Sequence, residues 1–346
     1  MKKILIPLVL LVFFVIPVSA EEFTAPEVPQ SGIAYMPEDT ESFSDGLWYV
    51  IRTGLTVLQP SLVSACGTCL CLIGINLLIG LMEKFTGAAT KTISLVGTIA
   101  CATIMLQPAN ALIQLGVETV RVLSEYGKLL LPVMTGALAA QGGAVTGAAL
   151  YTATAVVDAV LTTAIAKLLV PMVYIYLSLC IASNAIGEDM LKSLRDFVKW
   201  ITTWCLKIIL YVFTGYITIT GVVSGATDAT TLKAAKLAIS GAVPVVGSIL
   251  SDASEAVLVS AGVVKNAAGI YGLLAMAAVF IEPFLKIGVQ YLLLKLTSAI
   301  CTAIGSKTAA EMTKDFSGAM GLVLAMTGTV CLILLISTVC FMKGVG

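Results

Sequence analysis

The residues that could carry out chemistry in this chain are few, and their types exclude most enzymes. Its 346 residues include no histidine, the commonest general acid or base and the commonest metal ligand. Cys66 and Cys69 have the Cys-x-x-Cys spacing of redox motifs, but no basic residue lies nearby in the sequence to activate a thiol. The glycine-rich fingerprints of nucleotide-binding loops are absent from the sequence. We therefore predict no catalytic residue, no cofactor and no metal site.

Charged side chains inside the apolar stretches are the other group that could do chemistry. A charge at membrane depth is costly, so it is kept mainly where it pairs or lines a polar path. The residues concerned are Asp158, Lys167, Lys207, Lys265, Glu282, Lys286 and Lys295. The lysines can extend to the membrane surface, and Glu282 fits a short loop. We single out Asp158 as a polar lining of a path, with a structural carboxylate as the alternative.

The composition places these residues in a membrane protein. Of the chain, 58% is hydrophobic and 12% is charged, and the mean hydropathy is +1.02, whereas soluble domains are about 25% charged. The 20 Lys and Arg residues balance the 20 Asp and Glu residues, so no basic excess favours nucleic acid. A soluble globular protein is excluded, and the lipid bilayer is the expected environment. All nine cysteines lie in apolar stretches and are predicted to be small buried hydrophobic residues.

The N-terminal sixty residues differ from the rest. Residues 1–20 have two lysines, an apolar run and a small-residue site, which predicts a signal peptide cleaved after Ala20. An uncleaved first membrane helix is the alternative. Residues 21–60 form an acidic, proline-containing extracytoplasmic lead that is predicted to be flexible. Its last part, residues 44–59, has helical periodicity and predicts an amphipathic surface helix anchored by Trp48 and Tyr49.

Residues 61–346 predict a polytopic transmembrane domain. Apolar runs of about the 20 residues that one crossing needs are Leu62–Met82, Thr92–Leu115, Leu129–Leu150, Leu168–Ile186, Ile201–Val223, Val257–Ile281, Pro283–Ile304 and Ala319–Phe341. Tyr151–Ala166 and Leu237–Leu250 are interpreted as re-entrant or broken segments, and Gly187–Trp200 and Gly305–Gly318 as surface helices. The predicted fold class is an all-α membrane helix bundle of about seven to nine spans.

The proline positions predict an internal repeat. Pro132 and Pro171 are 39 residues apart, as are Pro244 and Pro283, and the second pair lies 112 residues after the first. This spacing predicts repeats over residues 117–200 and 229–318. A proline at membrane depth removes one backbone hydrogen bond, so Pro132 and Pro244 are predicted to open paired broken segments. Small residues follow each of them, including Gly143 and Gly247. Paired broken helices around a transport path are one interpretation. Kinked helices that simply pack through small residues are the other.

The segment Phe213–Leu258 resembles the stage III sporulation protein AE family. The resemblance continues through Lys265-Asn266 and the block Pro283-Phe284-Leu285-Lys286. It implies a multi-pass protein of the mother-cell membrane that surrounds the forespore. It also implies membership of the channel or export complex between the two cells, which is needed for forespore development and late forespore sigma factor activity.

The same resemblance implies the partners. These are other proteins of the stage III sporulation A operon, including a cytoplasmic ATPase (protein AA) and the ring proteins AG and AH, and indirectly stage II sporulation protein Q. No catalytic residue is assigned in the family, so none is carried over. Two other functions stay open from the residues themselves: a stand-alone secondary transporter or permease, and a purely structural membrane scaffold.

Overall fold

The structure is a computed structural model that describes residues 25–38, 42–86, 90–242, 247–304 and 307–343. Every regular element in those ranges is helical, which confirms the predicted all-α class. In chain order these elements are α1 Gln30–Ile33, α2 Phe43–Val57, α3 Gln59–Thr86, α4 Thr90–Ala140, α5 Ala144–Ala164, the π-helical segment Ile165–Leu169, α6 Val170–Ile186, α7 Asp189–Ala242, α8 Gly247–Ile304 and α9 Lys307–Lys343. The predicted signal peptide with its cleavage site at Ala20, and Pro244, lie outside the described residues.

Within the described ranges, six helices are long and apolar enough to cross a membrane. They are Gln59–Phe85, Thr92–Ala140, Ala144–Ile186, Asp189–Ile219, Lys265–Ala303 and Lys307–Lys343. A multi-pass membrane bundle is therefore the architecture. In the described residues, Thr92–Ala140, Ala144–Ile186 and Lys265–Ala303 are 49, 43 and 39 residues long, so apolar runs that the sequence separates lie on continuous helices.

Continuous helices replace several predicted breaks. The predicted spans Val257–Ile281 and Pro283–Ile304 both lie on α8, which passes through Pro283. Tyr151–Ala166, predicted to be re-entrant, continues through the π segment into α6. The predicted surface helix Gly187–Trp200 is the beginning of α7, after Gly187 ends α6 in the left-handed conformation.

The helix break near Pro132 comes later in the chain than the repeat interpretation predicts. Helix α4 runs through both Pro108 and Pro132 and ends at Ala140. The chain then turns at Gln141–Gly143, where Gly142 has a φ of 88° and Gly143 N–H bonds Leu138 O at 3.0 Å. This turn also divides the predicted span Leu129–Leu150. The proline removes one hydrogen bond, but the side chains on either side, Leu131 and Met134, are buried and hold the helix in place.

The centre of the bundle is α9, which is buried more than any of the other spanning helices described. It packs most extensively against α8 and α4. Gly116 lies against Val323 and Gly127 against Leu334, so α4 and α9 run in the same direction at constant register. Glycines at such contacts let two helix backbones approach closely, which is how membrane helices gain packing energy.

Helices α5 and α6 run antiparallel to α9, as their polar contacts show. Thr154 of α5 meets Ser337, near the C-terminal end of α9, whereas Tyr176 of α6 meets Asp315, near its N-terminal end. Helix α7 covers α5 and α6 with a buried stripe at helical spacing: Val198, Thr202, Leu206, Phe213 and Ile217. Its opposite face is exposed and aromatic, as expected of a face turned to lipid.

The N-terminal lead packs against the bundle over its described length instead of running free. Tyr35 and Val50 are buried against Ala278 of α8. Gly32 and Gly54 lie against Val279 and Ile281 of the same helix. The helix predicted over residues 44–59 lies at α2, and its Trp48 is 68% exposed. The expectation of a flexible lead does not describe residues 25–38, where Gly32 and Tyr35 lie against α8.

Candidate functional site

The carboxylate of Asp158 lies in the interior of the bundle, between α4 and α5. Only 3% of the residue is exposed. Ser124 of α4 donates a hydrogen bond from its Oγ to Asp158 Oδ2 at 2.5 Å. The second oxygen, Oδ1, is buried and has no hydrogen-bond partner among the described residues. Because a buried polar atom normally has a partner, this oxygen is the most unusual feature of the site.

Threonine hydroxyl groups lie one turn before and one turn after Asp158 on the same face of α5. Thr154, Asp158 and Thr162 follow each other at intervals of four residues, which places them on the same side of the helix. Thr154 Oγ1 and Ser337 Oγ of α9 are 2.5 Å apart and fully buried. Thr162 Oγ1 is buried and has no partner within the described ranges. The result is a polar strip where α4, α5 and α9 meet.

Immediately after Thr162 the helix changes its hydrogen-bond pattern. The π segment Ile165–Leu169 separates α5 from α6, and Pro171 lies in the first turn of α6. Proline cannot donate the bond that an uninterrupted α-helix would need at this point, and π-helical turns occur often at functional sites. The chain thus stays helical through Tyr151–Ala166, and the π segment that begins at its end is a local change of hydrogen-bond pattern.

The other predicted path residues are dispersed. Pro132 lies within α4, Gly143 immediately precedes α5, and Gly247 begins α8. Pro283 lies inside α8, next to Glu282. None of them is hydrogen-bonded to the Asp158 side chain in the described part of the structure, and their role in a path stays a prediction.

Glu282 is part of a contact that holds the N-terminal lead. Its Oε2 accepts a hydrogen bond from Tyr35 Oη at 3.0 Å, and its Oε1 accepts one from Lys286 Nζ at 2.5 Å. Burial and the neighbouring Glu282 carboxylate raise the pKa of Tyr35 from 10.0 to about 12. Glu282 lies inside the continuous helix α8, not in the short loop that the sequence predicted.

A second buried charged cluster, which was not predicted from the sequence, joins α6, α7 and α9. Arg195 Nη1 donates to Asp315 Oδ2 at 2.6 Å, and Asn184 Nδ2 donates to the same oxygen at 2.9 Å. The side chains of Arg195 and Asp315 are 13% and 11% exposed. Tyr176 Oη donates to Asp315 O at 3.2 Å. Arg195 and Asp315 each lie in a segment predicted to be a polar surface helix, and only the helical spacing of Arg195 relative to Val198 and Thr202, both buried, indicates an inward position.

This charged cluster borders a polar cleft of about 880 Å³. Asn184 belongs to both, because it lines the cleft and bonds Asp315. Charged residues from three parts of the chain line the same cleft: Glu83, Lys192, Lys307 and Glu311. Water can therefore reach the edge of the cluster from this end of the bundle.

The cysteines are all free thiols and most are buried. Cys69, Cys101, Cys180, Cys301 and Cys331 are buried, as predicted for small hydrophobic residues, whereas Cys66 and Cys71 are exposed. Cys66 and Cys69 form no disulfide. Within the described ranges, no three Cys, Asp or Glu side chains are grouped closely enough to hold a metal ion.

The family described as Stage III sporulation protein AE matches residues 58–344. The chain belongs to the stage III sporulation protein AE family. A curated Stage III sporulation protein AE from Bacillus subtilis (strain 168) is 24% identical over 200 residues, which cover 58% of this chain and 50% of that relative. This chain therefore aligns with half the length of its relative. No match was found among solved structures.

Membership in the stage III sporulation protein AE family implies a role in sporulation. The family is one of sporulation membrane proteins and is not a known enzyme family. The matched residues include all six spanning helices and both buried polar clusters, whereas α1 and α2 precede them.

Proposed function

We propose that this chain is an integral membrane component of the sporulation channel or export complex between mother cell and forespore. In that complex it is required for forespore development and for late forespore sigma factor activity. The observation that carries the proposal is the family match over residues 58–344, which covers the whole membrane bundle. Its location in this proposal is the mother-cell membrane around the forespore.

The proposed partners follow from the same family. They are the other proteins of the stage III sporulation A operon, including the cytoplasmic ATPase AA and the ring proteins AG and AH, with stage II sporulation protein Q as an indirect partner. The charged cleft next to Asn184 supports such an assembly, because it offers a polar surface of both charge signs at one end of the bundle. A chain without a nucleotide-binding motif needs a partner for any ATP-driven step.

The Asp158 strip supports a path through the bundle in this proposal. A carboxylate buried in a membrane bundle is costly, so such groups are rare and usually mark functional sites. In this proposal solutes or coupling ions pass near the junction of α4, α5 and α9, where Ser124, Thr154 and Ser337 provide polar groups.

Complementation of a deletion strain of the source organism tests the proposal. We expect the deletion to abolish heat-resistant spores and the activity of a reporter that depends on the late forespore sigma factor. Asp158→Asn and Pro244→Ala should impair both readouts while membrane insertion and partner recruitment persist. Asp45→Asn is the matched control, because it makes the same chemical change at an exposed carboxylate of α2, away from the charged cleft. Normal sporulation of the deletion strain would refute the proposal. Normal sporulation of both variants would refute the path.

Reconstitution separates the proposal from its two rivals. The purified chain in vesicles should move no solute without its partners, whereas a stand-alone transporter would do so. A scaffold would still bind its partners and would tolerate every charge or proline substitution inside the membrane. Solute flux from the chain by itself would therefore contradict the complex-dependent function.

A further inference from the structure

The Asp158 carboxylate can accept more hydrogen bonds than the surrounding side chains donate to it. One carboxylate oxygen has the Ser124 hydroxyl at 2.5 Å, and the other has no partner among the described residues. One turn further along α5, Thr162 Oγ1 is likewise buried without a partner in the described structure. Two buried oxygen atoms on one face of α5 are therefore able to bind a cation, a proton or a hydrogen-bond donor.

The number of free oxygens indicates which ligand fits. A calcium ion takes six to eight oxygen ligands, and magnesium demands a near-ideal octahedron. The strip provides only Asp158 Oδ1 and Thr162 Oγ1 as unused atoms, since Thr154 and Ser337 already bond each other. A single proton needs one oxygen and no additional cavity volume. It also removes the charge that makes a carboxylate costly in an apolar interior.

We propose that Asp158 is a proton-binding site of this membrane bundle, which takes up and releases one proton at Oδ1. On uptake, one O–H bond forms at Oδ1 and one breaks in a hydronium ion, so the carboxylate becomes neutral and a water molecule is left. On release, the same bond breaks and the proton returns to water. No electron transfer is involved.

The surrounding elements give this site its charge balance. On α4, Lys128 lies one turn from Ser124, is exposed, and is close enough to interact electrostatically with Asp158. On α9, the facing polar group is the neutral Ser337 hydroxyl, bonded to Thr154. On α7, which also packs on α5, Lys207 is the charged residue between residues 201 and 219 and is exposed. Asp158 is thus the one buried charged side chain on α5, and Lys128 is the positive charge that acts on it from α4.

A change of charge here acts on a part of the fold that can respond. Asp158 links α5 to α4 through Ser124, and Thr154 links α5 to α9. The π segment that begins after Ala164 has a different hydrogen-bond spacing from the helices on either side. Proton uptake would change the charge at the Asp158–Ser124 contact between α4 and α5. This contact lies shortly before the π segment Ile165–Leu169, where the helix is already irregular.

Infrared difference spectroscopy of the purified full-length chain in lipid vesicles tests the proposal without any partner protein. We expect a pH step to produce the C=O band of a buried protonated carboxyl group, at higher frequency than the band of solvated carboxyls. Asp158→Asn should abolish this band. Ser124→Ala should keep the band but shift its frequency, because the hydrogen bond to Oδ2 is lost. Asp189→Asn, at an exposed carboxylate, should leave the band unchanged.

Several outcomes would overturn the assignment. A difference spectrum that is the same in the wild type and in Asp158→Asn means that Asp158 does not titrate. A band that persists at every pH means a permanently protonated, structural carboxyl. If Asp158→Asn does not fold, the Ser124→Ala comparison decides, and an unshifted band excludes Asp158 as its source. Because sporulation is not measured, failure here leaves the proposed complex untouched, and failure of the sporulation test leaves proton binding untouched.

Discussion

Replacing Arg195 with methionine removes the positive charge that faces Asp315 but keeps a long apolar stem. The Asp315 carboxylate then stays buried with Asn184 as its remaining side-chain partner. Breaking a buried ion pair from one side costs about 3 to 5 kcal/mol, because it leaves an uncompensated charge. We expect about 3 kcal/mol, the lower end, because Arg195 also bonds Asp196, which is 66% exposed and close to water.

Removing both charges should recover most of that loss. The double variant Arg195→Met with Asp315→Asn leaves no buried charge, and we expect it to lie within about 1 kcal/mol of the parent protein. Arg195→Met, Asp315→Asn and the double variant together form a double-mutant cycle that isolates the coupling between the two side chains. The expected coupling is at least about 2 kcal/mol.

The buried thiols provide the assay. Cys180 and Cys331 are buried in α6 and α9, so a thiol-reactive dye labels them only when the bundle opens. Cys66 and Cys71 are exposed and are replaced by serine in the background protein. Unfolding in mixed micelles by SDS titration then gives the free energy of each variant. A loss within about 0.5 kcal/mol for Arg195→Met, as at an ordinary surface position, would refute the buried pair.

Two further outcomes follow from contacts in the bundle. Gly116→Ala places a Cβ 2.5 Å from Val323 Cγ1, and we expect it to destabilise the protein by about 1 to 3 kcal/mol in the same titration. Gly328→Ala, where the new Cβ meets open space, should be neutral or stabilising, and equal losses for both would contradict the helix contact. Because the pKa of Tyr35 rises from 10.0 to about 12 on folding, its contribution to stability is complete below pH 10 and is lost as the pH rises through 12. Tyrosinate absorbance of wild type minus Tyr35→Phe should show this late titration, and a midpoint near 10.0 would mean that Tyr35 is not buried against Glu282.

Several features could be predicted from local sequence because they depend on it alone. The apolar runs predict membrane helices, since a span needs about 20 apolar residues whatever its neighbours are. The periodicity of residues 44–59 predicts α2, whose observed bounds are Phe43–Val57. Asp158 is noticeable in the sequence for the same reason that it matters in the structure, because a carboxylate inside an apolar run is costly.

The prolines show where this kind of prediction fails. Sequence indicates that Pro132 and Pro283 each remove one backbone hydrogen bond, but not how much packing energy the surrounding side chains supply. In the bundle, α4 and α8 continue through both residues, and the chain turns at Gln141–Gly143 instead. Helix ends in a packed bundle are decided by the sum of tertiary contacts, which outweighs one lost bond.

Composition and periodicity by themselves determined that the chain is helical, that it belongs in a membrane and that its few charges matter. They did not determine which charges meet. Arg195 and Asp315 lie in separate polar segments far apart in the chain and become an ion pair only because α7 and α9 pack side by side. Asp158 acquires its Ser124 partner, and keeps one oxygen without any in the described structure, only where α4 and α5 meet. Charge pairing depends on distances of a few ångströms across helices, and those distances exist only in the folded bundle.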